Sequence, residues 1–279
     1  MKILLTGGGS GGHIIPLLAV VSEIEKIAKE KNIEKLEFLL ISPDGNFNDS
    51  LLERGIQVQK IEAGKLRRYF SWDNLSDLFR IPVGIVQSIH YVLKFKPDVV
   101  FSKGGFASVP PVFASWLLGV PIITHESDIV PGLANKIISS FAKVVLVSFP
   151  GTEKFFSGKK VILTGNPIRK DILSGNKERA KELFDLRENF PTILVYGGSQ
   201  GSNRINEVIK ESLPVILNKY QVIHICGENN YGRMKDETDR MVLENKKRYR
   251  AYAFLSDEMK DAYALSDLVV SRAGANSLS

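Results

Sequence analysis

Cysteine is nearly absent: the single Cys226 in 279 residues cannot form an internal disulfide, so nothing in the chain asks for an oxidising compartment. Long hydrophobic runs are missing too. The longest, Pro110 to Thr124, is broken by Ser115, Gly119 and Pro121 and falls short of the ~20 residues a membrane span needs. The first residues offer one lysine and then only Ile3-Leu4-Leu5 before glycines, too little for a signal peptide. Histidine is scarce, at four residues, and no HxxE-type or paired-cysteine spacing occurs, so no metal site is legible. Acidic excess is lacking as well. Against 31 Asp and Glu stand 37 Lys and Arg, a net charge of +6 that favours phosphates, nucleic acid or an anionic membrane face. The expectation from these absences is a protein that is neither secreted, nor integral to a membrane, nor fibrous.

What is present is the balance of a globular enzyme: 44% apolar and 24% charged residues. The length exceeds one ordinary core and suits two domains of about 140 residues each. Short apolar runs at Ile3 to Thr6, Leu36 to Ser42, Gln57 to Glu62, Asp98 to Ser102, Pro121 to Thr124 and Lys143 to Val147 read as strands. Amphipathic stretches separate them, such as Ile14 to Lys31 with Leu17, Leu18, Val21, Ile24 and Ala28 at helical spacing. After Asn166-Pro167 a helix from Lys177 to Leu186 precedes strands at Thr192 to Tyr196, Gln221 to Cys226, Arg248 to Phe254 and Leu268 to Ser271. Repeated β-α-β order predicts mostly parallel sheets with helices on both faces.

The chain also repeats itself. The opening Ile3-Leu4-Leu5-Thr6-Gly7-Gly8-Gly9-Ser10-Gly11-Gly12 has a near copy in Ile193-Leu194-Val195-Tyr196-Gly197-Gly198-Ser199-Gln200-Gly201-Ser202. Each reads as strand, glycine loop and helix start, which predicts two Rossmann-like doubly wound domains, 1–165 and 166–279, facing a cleft. The second shows four strands where about six are usual, so it is expected to be incomplete at Ser279.

Chemistry concentrates in the loops. The loop Gly7 to Gly12 brings backbone N–H groups to a helix N-terminus, where phosphate is favoured; the plain alternative is a tight turn without ligand. The ribose-binding acid of a dinucleotide site is missing, since Ser42 ends the second strand and Asp44 lies beyond it. His13 follows the loop and is a candidate general base, with a helix-start phosphate contact as the bland reading. His90 and His224 read as structural. The segment His125-Glu126-Ser127-Asp128-Ile129-Val130-Pro131-Gly132-Leu133-Ala134-Asn135-Lys136, read as a loop, and Lys103-Gly104-Gly105-Phe106 would line a phosphate or sugar crevice beyond strand ends. From Lys65 to Phe79, Lys65, Arg67 and Arg68 mix with Tyr69, Phe70, Trp72, Leu75, Leu78 and Phe79. That mixture suits an anionic lipid surface, or else a core-facing helix with solvated arginines; nucleic acid fits least, for want of any recognised motif.

The runs GGGSGGH, SKGGF, HES-D-IVPGLANK, GNPIR, GGSQGSNRIN and SRAGANSLS, in this order over the whole chain, resemble the MurG family of peptidoglycan N-acetylglucosaminyltransferases. The resemblance implies a GT-B fold. It also implies an inverting transferase, with neither metal nor cofactor, peripheral to the cytoplasmic face of the bacterial cell membrane. GlcNAc would pass from UDP-GlcNAc to the 4-hydroxyl of MurNAc in undecaprenyl-pyrophosphoryl-MurNAc-pentapeptide, converting lipid I to lipid II. By the same resemblance His13 is the general base. Ser10, Gly11, Gly12, Glu126, Asp128, Arg169, Ser199, Gln200, Leu255, Ala275, Asn276, Ser277, Leu278 and Ser279 bind substrate, and the basic-aromatic stretch from Lys65 meets the membrane. The family usually carries Asn where this chain has Asp128, and it continues past Ser279 with a ribose-binding glutamate and a donor loop. Two other readings stay open: another GT-B enzyme of UDP-sugars, such as an epimerase, and an inactive fragment that binds lipid pyrophosphate.

Overall fold

A computed structural model describes residues 1–8, 11–43, 51–52, 54–64, 73–186, 190–198 and 200–279, with side chains of the long helix from 80 onward. The chain divides into two compact units, Met1–Ile168 and Arg169–Ser279.

The first unit is a parallel sheet of seven strands: β1 (Lys2–Thr6), β2 (Glu37–Ser42), β3 (Gln57–Lys60), β4 (Val99–Ser102), β5 (Ile122–Glu126), β6 (Val144–Val147) and β7 (Lys160–Leu163). Their order is β3-β2-β1-β4-β5-β6-β7. Four helices of this unit matter here: α1 (Gly11–Glu30), α2 (Asp73–Phe95), α3 (Val109–Leu117) and α4 (Leu133–Phe141). Strand β1 shows why the runs are apolar throughout. Leu4 packs to one face with Val92, Phe95, Val112 and Ile138. Ile3 and Leu5 pack to the other with Leu17, Leu18 and Val21 of α1. A strand covered by helices on both faces has no polar side. Strand β7 was not expected from the sequence. It lies at the sheet edge with Ile162 and Leu163 exposed, and its four residues carry too weak a pattern to stand out.

The second unit repeats the plan with four parallel strands, β8 (Thr192–Tyr196), β9 (Gln221–Ile225), β10 (Tyr249–Tyr252) and β11 (Leu268–Ser271), in the order β10-β9-β8-β11. Helices α5 (Lys177–Leu183), α6 (Asn203–Ile216), α7 (Glu228–Asp239), α8 (Leu243–Arg248), α9 (Met259–Leu265) and α10 (Ala275–Leu278) complete it. Leu194, Tyr196, Ile223 and Ile225 face one core; Ile193, Val195 and Val222 face the other. In each sheet the first strand sits beside the fourth, where the order of connections reverses. A doubly wound sheet opens its ligand crevice at the carboxyl ends of those two strands.

Candidate active site

In the first unit that point lies beyond β1 and β4. Thr6 pairs in register with Ser102, and the N–H of Lys103 donates to the carbonyl of Thr6 at 2.8 Å. The glycines then let His13, in the first turn of α1, lie flat between two loops. A Cβ on Gly8 would stand 2.6 Å from Cδ2 of the ring, and one on Gly105 3.3 Å from Cε1 and Nε2. Gly104 and Gly105 have φ of 82° and 87°, the left-handed region that glycine enters without strain. Ser102 Oγ accepts from Gly104 N–H at 3.1 Å, and Ser108 Oγ donates to the Gly104 carbonyl at 2.8 Å, which fixes the turn.

His13 Nδ1 lies 3.4 Å from the carbonyl of Lys103, so the proton sits on Nδ1 and Nε2 carries the lone pair. Burial lowers the pKa of His13, and the charge of Lys103 adds to this; the bond to the Lys103 carbonyl and the charge of Asp128 oppose it. The imidazole is therefore neutral at pH 7.

His125 and Glu126 are not loop residues, as the sequence suggested, but the last two positions of β5, paired with Leu146 and Val147. Strand pairing carries them inward, to 2% and 3% exposure. Lys103, itself 2% exposed, donates from Nζ to His125 Nδ1 at 2.9 Å, to Ser127 Oγ, and to Asn166 Oδ1 at 3.4 Å. His125 Nε2–H donates to the Gly165 carbonyl at 3.0 Å. Burial and the Lys103 charge bring the pKa of His125 down to about 4, and burial brings that of Lys103 down to about 8 against the pull of Glu126 and Asp128. Glu126 accepts the Asp128 N–H at 2.8 Å and the Asn135 amide at 2.7 Å, while burial raises its pKa. Asp128 itself is exposed. Lys103, Ser127, Asn135 and Asn166 thus belong to the site's framework. The sequence showed all four only inside motifs, Asn166 also at a suspected boundary.

In the second unit the same point lies beyond β8 and β11. Gly197, Gly201 and Gly227 sit where a Cβ would collide with the Ser202 backbone, the Cys226 carbonyl and the Gln200 carbonyl. The loop therefore folds tightly onto the end of β9 and leads into α6, whose first turn has Ser202 as cap without a side-chain bond. Open N–H groups of that kind favour an anion. Asn206 pins α6 to the sheet: Nδ2 donates to the Cys226 carbonyl at 2.9 Å, and Oδ1 accepts from His224 Nε2–H at 3.0 Å. His224 also meets the Tyr249 hydroxyl at 2.8 Å, so it is a buried structural residue, its pKa brought to about 4 by burial. His90 is exposed on α2. Arg272, which sequence reasoning passed over, has Nη2 where it would meet a Cβ on Gly198 at 2.8 Å.

The other expected positions are scattered in character. Gln200 and Gly12 are exposed at the two glycine loops. Arg169 lies 3.5 Å from Asp171 and 3.8 Å from Asp257, and Nη2 donates to the Ser256 carbonyl at 3.3 Å. Leu255 packs into the core, so only its backbone is left for a ligand. Ala275, Asn276, Ser277 and Leu278 form α10, and Ser279 Oγ donates to the Ala275 carbonyl at 2.7 Å. Gly11 opens α1. Ser10, Ser199 and the stretch Lys65 to Trp72, with Arg67, Arg68, Tyr69 and Phe70, lie outside the described residues, as do the side chains of Leu75, Leu78 and Phe79. Among the described residues no helix is long and apolar enough to cross a membrane.

Residues 3–147 match the model of the glycosyltransferase family 28 N-terminal domain, and residues 192–279 that of the family 28 C-terminal domain. A protein of Clostridium botulinum named UDP-N-acetylglucosamine–N-acetylmuramyl-(pentapeptide) pyrophosphoryl-undecaprenol N-acetylglucosamine transferase is 43% identical over 279 residues. The alignment covers 99% of this chain and 74% of that protein. The chain belongs to the MurG family, within glycosyltransferase family 28.

A Bacillus cereus member of the MurG family, named as the same transferase with the suffix 2, is 40% identical over 278 residues, covering 99% of this chain and 75% of its own length. The crystal structure of Acinetobacter baumannii MurG superposes with a TM-score of 0.64 at 26% identity, covering 99% of this chain and 74% of that one. A UDP-GlcNAc 2-epimerase of Methanocaldococcus jannaschii superposes at 0.63 with 14% identity, covering 97% of this chain and 78% of that one, which shows the shared GT-B fold alone. The chain thus spans about three-quarters of the length of its MurG-family relatives.

Proposed function

We propose that the chain transfers GlcNAc from UDP-GlcNAc to the 4-hydroxyl of MurNAc in undecaprenyl-pyrophosphoryl-MurNAc-pentapeptide, inverting the anomeric carbon, in peptidoglycan synthesis. The observation that carries this reading is the 43% identity, over 99% of the chain, to a protein named as that transferase. The epimerases, at 14% identity, share only the fold.

The chemistry follows from the two crevices. His13 Nε2, with its lone pair and no hydrogen-bond partner among the described residues, takes the proton of the acceptor hydroxyl. The freed oxygen attacks the anomeric carbon from the face opposite the diphosphate. The bond from that carbon to UDP breaks, and its electron pair leaves with UDP. The uncapped first turn of α6, entered through Ser199, Gln200 and Gly201, offers N–H groups to the charge that develops there. Arg169 would join by exchanging its aspartate partners for the diphosphate. In the first unit Glu126 and Asp128 stand at the acceptor side.

We place the protein at the cytoplasmic membrane face, held by anionic lipid. Lys65, Arg67 and Arg68 precede α2, which packs on α3. The two helices leave Val86, Leu93, Trp116 and Leu117 about half exposed or more. Cations that precede, in sequence, a helix pair with exposed apolar side chains would supply both terms that stable peripheral binding needs.

Incubation with labelled UDP-GlcNAc and a lipid I analogue tests the function. Lipid-linked disaccharide is expected. Consumption of donor without acceptor would move the chain among the epimerases, and retention of lipid without any turnover would make it a binding protein.

A further inference from the structure

We infer that Lys103 is the positioning residue for His13: its carbonyl decides which imidazole nitrogen is bare, and its buried ammonium joins the ends of β4 and β5 to Asn166 and sets a positive charge on the ring's side of the crevice. This rests on the reading of His13 as the base.

A buried ammonium costs several kcal/mol unless its protons are bonded, and an apolar side chain of the same shape carries no such cost. Here all three protons are taken, by His125 Nδ1, Ser127 Oγ and Asn166 Oδ1. With its donors spent inside the protein, Lys103 is no ligand contact. No carboxylate lies in contact with it among the described residues; Glu126, whose oxygens accept from the Asp128 N–H and the Asn135 amide, and Asp128 act on its charge from further off. That charge also acts on His13. Two described charges act on His13, Lys103 from the loop after β4 and Asp128 from the loop after β5, with opposite signs. The first turn of α1 carries no acid, and the flanking Gly7, Gly8 and Gly105 carry no charge. One residue thus acts twice on the same ring: the carbonyl holds the Nδ1 proton and favours the cation, and the ammonium, adding to the larger effect of burial, resists a second proton at Nε2.

The test uses K103M, which keeps the length and removes the charge. Imidazole NMR resolves the four histidines, and H13Q assigns His13. In K103M the titration of His13 should move to higher pH, and the transfer rate at pH 6 should fall about threefold or more relative to the rate at pH 8. D128N should move the same titration the other way. An unmoved His13 titration in folded K103M overturns the inference. If that titration moves while the acid limb of the rate stays put, the base is not His13, and the hold of Lys103 on the ring stands. Should K103M not fold, the wild-type protein carries the test through nitrogen-15 shifts of His13. The proton of the neutral ring is expected on Nδ1, against the Lys103 carbonyl, with Nε2 bare. A proton on Nε2 overturns the inference.

Discussion

Gly104 is the position where one added carbon should disturb the most. Its φ of 82° places any L side chain in the left-handed region, at a cost of roughly 1–2 kcal/mol. A Cβ there would also collide with Asn135 Oδ1, so Asn135 must swing away. That swing breaks the 2.7 Å bond from Nδ2 to the buried Glu126 carboxylate, worth about 1.5–3 kcal/mol for a charged acceptor. The sum for Gly104→Ala is roughly 2.5–5 kcal/mol. Gly158→Ala is the control: φ is 75° and nothing lies within 4 Å of the added carbon, so only the backbone cost applies. Loss of unfolded-state entropy favours both variants alike and cancels in the difference. Trp72 and Trp116 both belong to the first unit, so tryptophan fluorescence during urea unfolding reports that unit alone. Midpoints multiplied by a common slope should set the two variants about 1.5–3 kcal/mol apart. Equal losses would refute the packing argument and with it the account of how Glu126 is held.

Further outcomes follow from the same site. His125 and His224 are buried with pKa values near 4 against 6.5 when unfolded. The unfolded chain therefore binds more protons below pH 6.5, so stability is full above that value and falls as pH drops toward 4. Each should cost roughly 2 kcal/mol between pH 7 and pH 5, measured by urea unfolding at the two values, and an unchanged stability would contradict their neutral burial. His13→Gln should lower turnover by about 10²–10⁴-fold with donor affinity kept, by transfer assay and donor titration, and an unchanged rate would leave His13 a structural role. Replacing Lys65, Arg67 and Arg68 by Ser should remove about 1 kcal/mol per cation of binding to anionic vesicles, read by co-sedimentation across salt concentrations. Equal binding to neutral and anionic vesicles would refute the membrane surface.

The sequence by itself determined the class of fold. Strands such as Ile193 to Tyr196 are apolar at every position because both faces are covered, and glycines follow because no other residue lets the chain turn so close to a helix start. Those signals are local, and local patterns survive without coordinates. The motifs that mark the family are local as well, and so His13, Glu126 and the second glycine loop stood out from the residues alone. Tertiary structure decided what is made of distant parts. Only pairing with β6 drew His125 and Glu126 out of the apparent loop and into β5. Only folding brought Lys103 to within hydrogen-bond reach of Asn166, 63 positions away, and turned a residue that is ordinarily a surface cation into a buried one. Burial and charge at that depth depend on what lies across the crevice, and no window of sequence contains both sides of it.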